Sequence, residues 1–248
     1  MNFDKLDKLK AKIGALRPFP EAAVRIIHEK ILQSWIYNSI SMNGNTLTAN
    51  EIKMVLEGEK LRGKSLREHF EVINHRDAII YIEMLAKKNE SVSEALIKRS
   101  HHILSKNIDN TNAGKYRNIN INFTESDHEP PHFNTMTDEM ARLIVCHNEN
   151  LAKMHPVEVA SRIHADLIKI HPFIDGNGRT ARLLMNLELI KSGFPPAVIP
   201  ATLKKEYFET LDKAHMHNDY EPFIGLVADA LEQSFEIFLD NLNMEMIE

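Results

Sequence analysis

Cysteine is nearly absent from this sequence of 248 residues, which contains a single one, Cys146. A lone thiol cannot form a disulfide within the chain, and it cannot supply the paired cysteines of a typical zinc site. Cys146 follows Leu143, Ile144 and Val145. This apolar setting predicts a buried structural thiol rather than a nucleophile.

Long hydrophobic runs are also missing, and no segment has the length and apolar character of a membrane span. Residues 1–8 are rich in charge and lack the apolar stretch of a secretory signal. We therefore expect a cytoplasmic protein that does not associate with membranes.

Positive charge is not in excess, since 30 Lys and Arg stand against 35 Asp and Glu and give a formal net charge of −5. Proteins that bind nucleic acid through its phosphates usually carry a basic face. The charge balance argues against a nucleic-acid partner, and the lack of a basic recognition helix argues against a DNA-binding regulator. A local basic pocket for one nucleotide is still compatible with these numbers.

Glycine is scarce, with nine residues, whereas hydrophobic residues make up 43% of the chain. Few glycines suit a helical protein with few tight turns, and the apolar residues recur at helical spacing. The repeat is seen at Val24, Ile27, Ile31 and Trp35, at Val159, Ile163, Leu167 and Ile170, at Leu183, Leu187 and Ile190, and at Phe223, Val227, Ala230 and Phe238. The sequence therefore predicts an all-α protein.

Several residues mark where these helices begin and end. Gly44 and Asn45 predict a left-handed cap after the helix that carries Trp35. A Thr at position 48 and a Glu at position 51 predict a capping box that opens the next helix. Gly193, shortly before two prolines, predicts the end of a later helix.

One segment departs from the helical pattern. Residues 116–123 alternate between two sets of side chains as a strand does, and a polar stretch then leads to Pro130 and Pro131. We predict a small β-hairpin or an extended flap in an otherwise helical bundle.

Residues 171–182, with the sequence HPFIDGNGRTAR, are the most informative segment. Pro172 disfavours helical geometry at the preceding residue, so His171 is predicted at a helix end and facing a loop. A Gly-Asn-Gly turn at 176–178 then leads into a new helix. Backbone amides of such a turn, together with the positive end of the helix dipole, form a cradle for an anion.

Charged side chains complete this segment. Arg179 and Arg182 lie three positions apart near the start of the new helix, where two guanidiniums suit a polyphosphate. Asp175 offers one carboxylate, enough for a Mg²⁺ whose other ligands are phosphate oxygens and water. His171 has a pKa suited to a general base. Each feature alone is more often structural, but together they indicate phosphoryl or nucleotidyl transfer.

The segment resembles the Fic motif, H-x-F-x-[D/E]-G-N-G-R-x-x-R, and matches every specified position. The resemblance continues in residues 113–121 and 130–132, which are similar to the Fic flap, and in 206–214, similar to the helix that binds the nucleotide base. Residues 39–48 resemble the inhibitory helix of class II Fic proteins. The resemblance covers about residues 31–239.

This resemblance implies a protein adenylyltransferase, which transfers AMP from ATP to a Ser, Thr or Tyr hydroxyl of a target protein and also modifies itself. The implied cofactor is Mg²⁺. The implied fold is a Fic-type helical bundle with a flap. Its N-terminal region, residues 1–90, would carry the inhibitory-like helix at about 31–44, followed by the catalytic core at 91–240 and a tail at 241–248.

The resemblance also implies roles for individual residues. His171 would accept the proton of the target hydroxyl, and Asp175 would bind Mg²⁺. The groups that would hold the phosphates are Gly176, Asn177, Gly178, Arg179 and Arg182. The groups expected near the nucleoside are Tyr207, Phe208 and His215, of which the first two would border the adenine. The flap residues that would clamp the target segment by strand addition are Ile119, Asn120 and Ile121.

One residue departs from the inhibitory motif, [S/T]-x-x-x-E-[G/N]. Ser39 and Gly44 fit it, but Asn43 occupies the position of the glutamate. In the family this glutamate pairs with the second motif arginine, here Arg182, and obstructs the γ-phosphate. A neutral amide cannot form the charge-assisted pair. We therefore expect weakened inhibition and little removal of AMP.

Other interpretations remain open. The same motif could use UTP or GTP as the nucleotide donor. A second alternative is the kinase-like variant of the superfamily, which replaces the glycine at position 178; the presence of Gly178 argues against it. A helical module that binds a nucleotide without turnover is a further alternative, disfavoured by the intact His171. The remaining histidines, including the adjacent His101 and His102, lack zinc-site spacing and are expected to be solvated or in the core. Apolar helix faces make a homodimer a further expectation.

Overall fold

The computed structural model describes residues 1–122 and 128–245. These residues form ten α-helices, and a short 3-10 turn at Ala201–Leu203 precedes the ninth. The α-helices are α1 (Asp4–Ala15), α2 (Glu21–Ser41), α3 (Ala49–Leu56), α4 (Leu66–Lys87), α5 (Glu94–Ser105), α6 (Met136–Asn150), α7 (Pro156–Ile170), α8 (Asn177–Lys191), α9 (Lys204–His217) and α10 (Glu221–Glu245). The predicted all-α class is confirmed. In the described part of the chain, no helix combines the length and apolar character needed to cross a membrane.

α8 lies at the centre of the bundle and packs against α7, α4 and α5. Its buried residues include the polar and charged Arg179, Arg182, Asn186 and Glu188 as well as its leucines. A helix enclosed by protein must find internal partners for such groups. Asn186 donates from Nδ2 to the Ala197 carbonyl at 3.2 Å and accepts from the Ala197 N–H at 2.8 Å. These two bonds fix the segment that leads from α8 to α9.

The helices before residue 90 share one hydrophobic core with those after it. Trp35 of α2 and Ile79 of α4 are buried in the same cluster as Leu183 and Leu187 of α8. α2 also packs against α4 and α10. The sequence boundary near residue 90 therefore does not separate two independent cores, and the N-terminal helices form part of the support for α8.

The predicted helix-end signals are confirmed. Thr48 forms the capping box at the start of α3, since its hydroxyl accepts from the Glu51 N–H at 3.3 Å and the Glu51 carboxylate accepts from the Thr48 N–H at 2.8 Å. Gly44, with φ of 92°, follows the end of α2. Gly193, with φ of 78°, follows the end of α8.

The predicted β-hairpin is wrong for the part of the flap that the structure describes, because residues 116–122 form no strand; the last residue of the predicted strand lies outside the described residues. The Arg117 N–H donates to the Pro172 carbonyl of the motif loop at 2.9 Å. Its guanidinium donates hydrogen bonds to the carbonyls of Ile119 and Pro131. The segment is therefore held by a buried arginine rather than by a partner strand.

The predicted burial of Cys146 is also wrong. Cys146 is exposed on α6, although Leu143 is buried, because the apolar run winds around a surface helix instead of lying on one face. Val24 is 47% exposed, whereas Ile27 on the same helix is buried.

α10 continues to Glu245, beyond the predicted start of the tail at residue 241.

A second capping box opens α4 and connects it to the turn after α2. Glu68 accepts from the Ser65 N–H at 2.8 Å and from the Thr46 hydroxyl at 2.6 Å. The Thr46 bond is the largest of the contributions that lower the pKa of Glu68 to about 2. Since folding favours the ionised carboxylate, this stabilisation is complete above the ordinary pKa of 4.5 and is lost as the pH falls toward 2.

We expect Glu68→Gln to lower the free energy of unfolding at neutral pH, because the amide cannot replace the ionised acceptor. The difference from the unmodified chain should shrink as the pH falls from about 4.5 to about 2. Urea unfolding at a series of pH values measures both effects. The exposed Glu90→Gln is the matched control. A difference that stays constant across this pH range would contradict the role given to the carboxylate.

Candidate active site

His171 is the first residue of the loop between α7 and α8. α7 ends at Ile170, and His171 adopts a left-handed conformation with φ of 51° and ψ of 61°. Its N–H still donates to the Leu167 carbonyl at 2.9 Å. The backbone therefore closes the helix while the side chain leaves it, at the position predicted from Pro172.

The His171 ring is largely enclosed by protein. Burial lowers its pKa to about 4; a backbone hydrogen bond with Ile168 opposes this shift, and the charge of Arg117 adds to it. The ring is consequently neutral at pH 7. This is the protonation state that can accept a proton from a hydroxyl group.

Asn177 gives the loop its shape. Its Oδ1 accepts from the Phe173 N–H at 2.9 Å, and its Nδ2 donates to the Phe173 carbonyl at 2.8 Å. Phe173 is fully buried, so these bonds join the loop to the core. The Asn177 side chain is thus directed to the loop itself, and its backbone N–H is the group left for the predicted phosphate contact.

Gly176 and Asp175 form the entrance to α8. Gly176 is the N-cap residue, with φ of 81°, and its N–H donates to Asp175 Oδ1 at 2.6 Å. The unpaired amides at the start of a helix attract negative charge. The loop therefore brings a carboxylate to the same helix end as the amides of Asn177 and Gly178.

Arg179 faces this carboxylate. Its Nη2 lies 3.4 Å from Asp175 Oδ2, and the Arg179 side chain is 4% exposed. Burial alone would raise the pKa of Asp175, but the charge of Arg179 and the Gly176 N–H outweigh it and hold the pKa below its ordinary value. The carboxylate is therefore ionised at neutral pH.

Arg182 reaches from α8 to the end of α2 and the turn that follows it. Its Nε donates to the Ser39 hydroxyl at 2.9 Å, and its Nη2 donates to the Ser39 carbonyl at 2.8 Å and to Asn43 Oδ1 at 2.6 Å. Gly178 lies beside it, since a Cβ added there would be 3.2 Å from Arg182 Nη1. The residues of the inhibitory-like motif and the second motif arginine are thus in direct contact.

The three residues expected near the nucleoside lie in different settings. Tyr207 is buried, and its hydroxyl lies 3.3 Å from Arg182 Nη1 and 3.0 Å from His164 Nε2. Phe208 is half-buried beside it. His215 is buried and donates from Nε2 to the Ala165 carbonyl of α7 at 2.9 Å. Tyr207 is therefore hydrogen-bonded to a motif arginine. Phe208 is partly accessible, and His215 is hydrogen-bonded to the backbone of α7.

Comparison with known proteins identifies the family. A family model described as Fic/DOC matches residues 91–189. A fragment of Fic-1 from C. elegans is 30% identical, with a TM-score of 0.84 over 96% of this chain and 71% of that one. This chain belongs to the Fic/DOC family.

Two further comparisons support this membership of the Fic family. A Fic domain containing signaling protein from Bacteroides thetaiotaomicron has a TM-score of 0.89 and 26% identity over 98% of each chain. Protein adenylyltransferase Fic from Nematostella vectensis is 34% identical over 243 residues, which are 95% of this chain and 55% of that protein. The chain spans about half the length of the curated relatives it matches.

Three residues outside the motif shape the site of this Fic protein and were missed in the sequence. They are Arg67 on α4, His101 on α5 and Arg117 in the flap. Each lies far from the motif in sequence, and an isolated arginine or histidine carries no local signal of a long-range contact. The sequence signal closest to Arg117 is Gly114, a glycine three positions before it, whose φ of 74° places it in a constrained turn.

Arg67 binds the carboxylate that is the candidate Mg²⁺ ligand. Its Nη2 donates to Asp175 Oδ2 at 2.9 Å, and its Nε donates to Glu71 Oε1 at 3.1 Å. Residues 1–122 and 128–245 contain no group of three acidic, His or Cys side chains arranged to hold a metal. The ionised, 56% exposed Asp175 side chain fits Mg²⁺ as a single oxygen ligand, in a site completed by phosphates and water.

Arg117 connects the flap to the catalytic loop. Its side chain is buried, and its three nitrogens donate to the carbonyls of His171 at 2.9 Å, Ile119 at 2.9 Å and Pro131 at 2.5 Å. Ile119 and Asn120 are exposed and Ile121 is half-buried. One guanidinium therefore fixes both ends of the flap while leaving two of the predicted docking residues accessible.

We expect Arg117→Lys to loosen the flap, because one ammonium cannot reach three carbonyls in a planar fork. The amides of residue 117 and Phe133, which donate to Pro172 and Asn120, should exchange roughly tenfold faster. Hydrogen exchange followed by mass spectrometry or NMR measures this. Arg142→Lys, at an exposed ion pair on α6, is the control. Equal exchange in both variants would show that Arg117 does not hold the flap.

Proposed function

We propose that this Fic protein transfers AMP from ATP to a Ser, Thr or Tyr hydroxyl of a target protein, with pyrophosphate leaving. The observation that carries the proposal is a single loop that joins a neutral imidazole to the N-terminus of a helix with two arginines. Relatives named protein adenylyltransferase, 32–34% identical to this chain, support the same reaction.

The proposed reaction begins with proton transfer to His171. As its imidazole accepts the hydroxyl proton, the hydroxyl oxygen forms a bond to the α-phosphorus of ATP, and the bond from that phosphorus to the bridging oxygen breaks. Pyrophosphate takes the bonding electrons. Positioning and charge stabilisation supply most of the catalysis in such a transfer. The neutral state of the ring at pH 7 suits this role.

The phosphates would lie at the start of α8. The amides of Asn177 and Gly178 and the guanidinium of Arg179 are the groups of that helix end that can bind phosphate oxygens. Mg²⁺, when bound, would neutralise phosphate charge, and Asp175 is the carboxylate that would hold it. Phe208, half-buried on α9, offers an apolar surface to the adenine.

We expect His171→Ala to abolish AMP transfer while ATP binding persists, because the variant loses the base but keeps the groups that bind phosphate. Intact mass after incubation with Mg²⁺ and each of the four nucleoside triphosphates should show an addition of about 329 Da with ATP in the unmodified chain and none in His171→Ala. His28→Ala, on the exposed part of α2, is the control and should retain the addition.

Two other results would change the conclusion. An addition of a different mass with UTP or GTP would indicate a Fic enzyme with another donor. ATP binding without any mass addition in the presence of target proteins would indicate a nucleotide-binding module without turnover.

We further propose that α2 restrains the site through Arg182. The guanidinium donates one hydrogen bond to Asn43 and two to Ser39, so these donors are already engaged within the protein. Release of Arg182 toward a triphosphate would require these bonds to break. Asn43 supplies one neutral oxygen, whereas a carboxylate would add a negative charge and a second oxygen for a bidentate pair with the guanidinium. The restraint is therefore weaker than a glutamate at this position would provide.

We expect Asn43→Glu to lower self-modification by roughly tenfold, because the added carboxylate forms a charge-assisted pair with Arg182. Labelled ATP and intact mass measure the rate. Asn148→Glu makes the same change on the exposed face of α6 and should leave the rate unaltered. An unchanged rate in Asn43→Glu would overturn the inhibitory role of α2.

A further inference from the structure

His101 lies against the motif loop although it is 74 positions from Asp175 in the sequence. Its side chain is buried, and its ring stacks on Phe173 with 3.7 Å between the ring centroids and 7° between the planes. Phe173 is itself fixed in the loop by Asn177. α5 thus presents an aromatic, hydrogen-bonding side chain directly to the segment between His171 and α8.

The hydrogen bonds of His101 define which ring nitrogen carries the proton. Nδ1 accepts from the Gly114 N–H at 2.9 Å, so this nitrogen has no proton of its own. The proton of the neutral ring is then on Nε2, which donates to the Asp175 carbonyl at 2.9 Å. The Ser105 hydroxyl lies 3.2 Å from the same Nε2 and is a second, longer contact.

Holding the Asp175 carbonyl also orients the next amide. The carbonyl of Asp175 and the N–H of Gly176 belong to one planar trans peptide and point in opposite directions. With the carbonyl turned toward His101, the N–H is turned to the other side, where it donates to Asp175 Oδ1 at 2.6 Å. Through this one peptide plane, the His101 imidazole orients the Gly176 N–H, which in turn binds the Asp175 carboxylate at the entrance to α8.

Gly176 is adapted to this contact in two ways. Its φ of 81° is a conformation that favours glycine. A Cβ added at Gly176 would lie 3.2 Å from both Cδ2 and Nε2 of His101. The backbone of the loop thus approaches the imidazole more closely than a larger residue would easily allow.

We infer that His101 is a positioning residue for the reaction: by donating from Nε2 to the Asp175 carbonyl, it orients the peptide between Asp175 and Gly176 and so places the carboxylate and the amide of the α8 N-cap residue. The effect on AMP transfer rests on the proposed function. The orientation of the peptide does not, and it is measurable without nucleotide.

A matched pair of amide variants separates the two hydrogen bonds. His101→Asn keeps an oxygen near the place of Nδ1, which can accept from Gly114, but it is too short to reach Asp175. His101→Gln extends an amide N–H toward the place of Nε2, which can donate to Asp175. Both variants lose the stacking on Phe173, so their stabilities should fall to a similar extent. His147→Phe, at a buried histidine beside Glu188, serves as a control for the general effect of changing a core histidine.

Two measurements test the inference in the full chain. Hydrogen exchange without nucleotide should show faster exchange of the Gly176 amide in His101→Asn than in His101→Gln. The kcat/KM for AMP transfer should fall about 10- to 100-fold in His101→Asn, as for other residues that orient a metal ligand, with a large part recovered in His101→Gln. His147→Phe should lower the melting temperature without changing Gly176 exchange.

The outcomes are distinguishable. Equal exchange at Gly176 in His101→Asn and His101→Gln would overturn the inference and leave His101 a core residue. A loss of AMP transfer in both variants that only follows their melting temperatures would overturn it as well. A difference in exchange with no AMP transfer even in the unmodified chain would support the positioning of the loop and contradict the proposed function instead.

Discussion

Two reciprocal hydrogen bonds between the Asn177 side chain and the backbone of Phe173 hold the turn between α7 and α8. These two bonds satisfy the buried Asn177 amide and both backbone polar groups of the buried Phe173, where water has little access. They also fix the distance between the end of one helix and the start of the next. His171 and the amides of α8 therefore face a common space because a short connection is rigid, not because either helix is long or well capped.

The charges placed at that space require partners from the rest of the bundle. Arg182 is buried with its helix, and a buried guanidinium without acceptors is strongly destabilising. Ser39 of α2 and Asn43 in the turn after it supply acceptors for this group. The N-terminal helices thus supply hydrogen-bond acceptors for a buried charge of the site. Because Ser39 accepts two hydrogen bonds from Arg182, α2 stays bonded to this guanidinium with a neutral residue at position 43.

Features that depend on neighbours along the chain are predictable from the sequence. The helix ends at Gly44, Thr48 and Gly193 follow from local backbone preferences, and the motif follows from its spacing. The predicted hairpin is wrong because alternation of side chains cannot distinguish a paired strand from an extended segment held by Arg117. The role of His101 is hidden in the sequence because its two hydrogen-bond partners come from residues 114 and 175. Such contacts arise from the packing of α5 on α8, which no spacing along the sequence reveals.

The charges of the site have partners within the protein. Asp175 binds Arg67 and lies close to Arg179, while Arg182 binds α2, so carboxylate and guanidiniums are paired within the protein. A triphosphate with its cation would have to replace these contacts rather than enter a set of free charges. Exposed pairs such as Arg67 with Asp175 are weak and exchange easily. The buried bonds of Arg182 are more costly to break. Under the proposed function, the larger cost of binding a triphosphate would therefore lie in the contacts of Arg182 with Ser39 and Asn43.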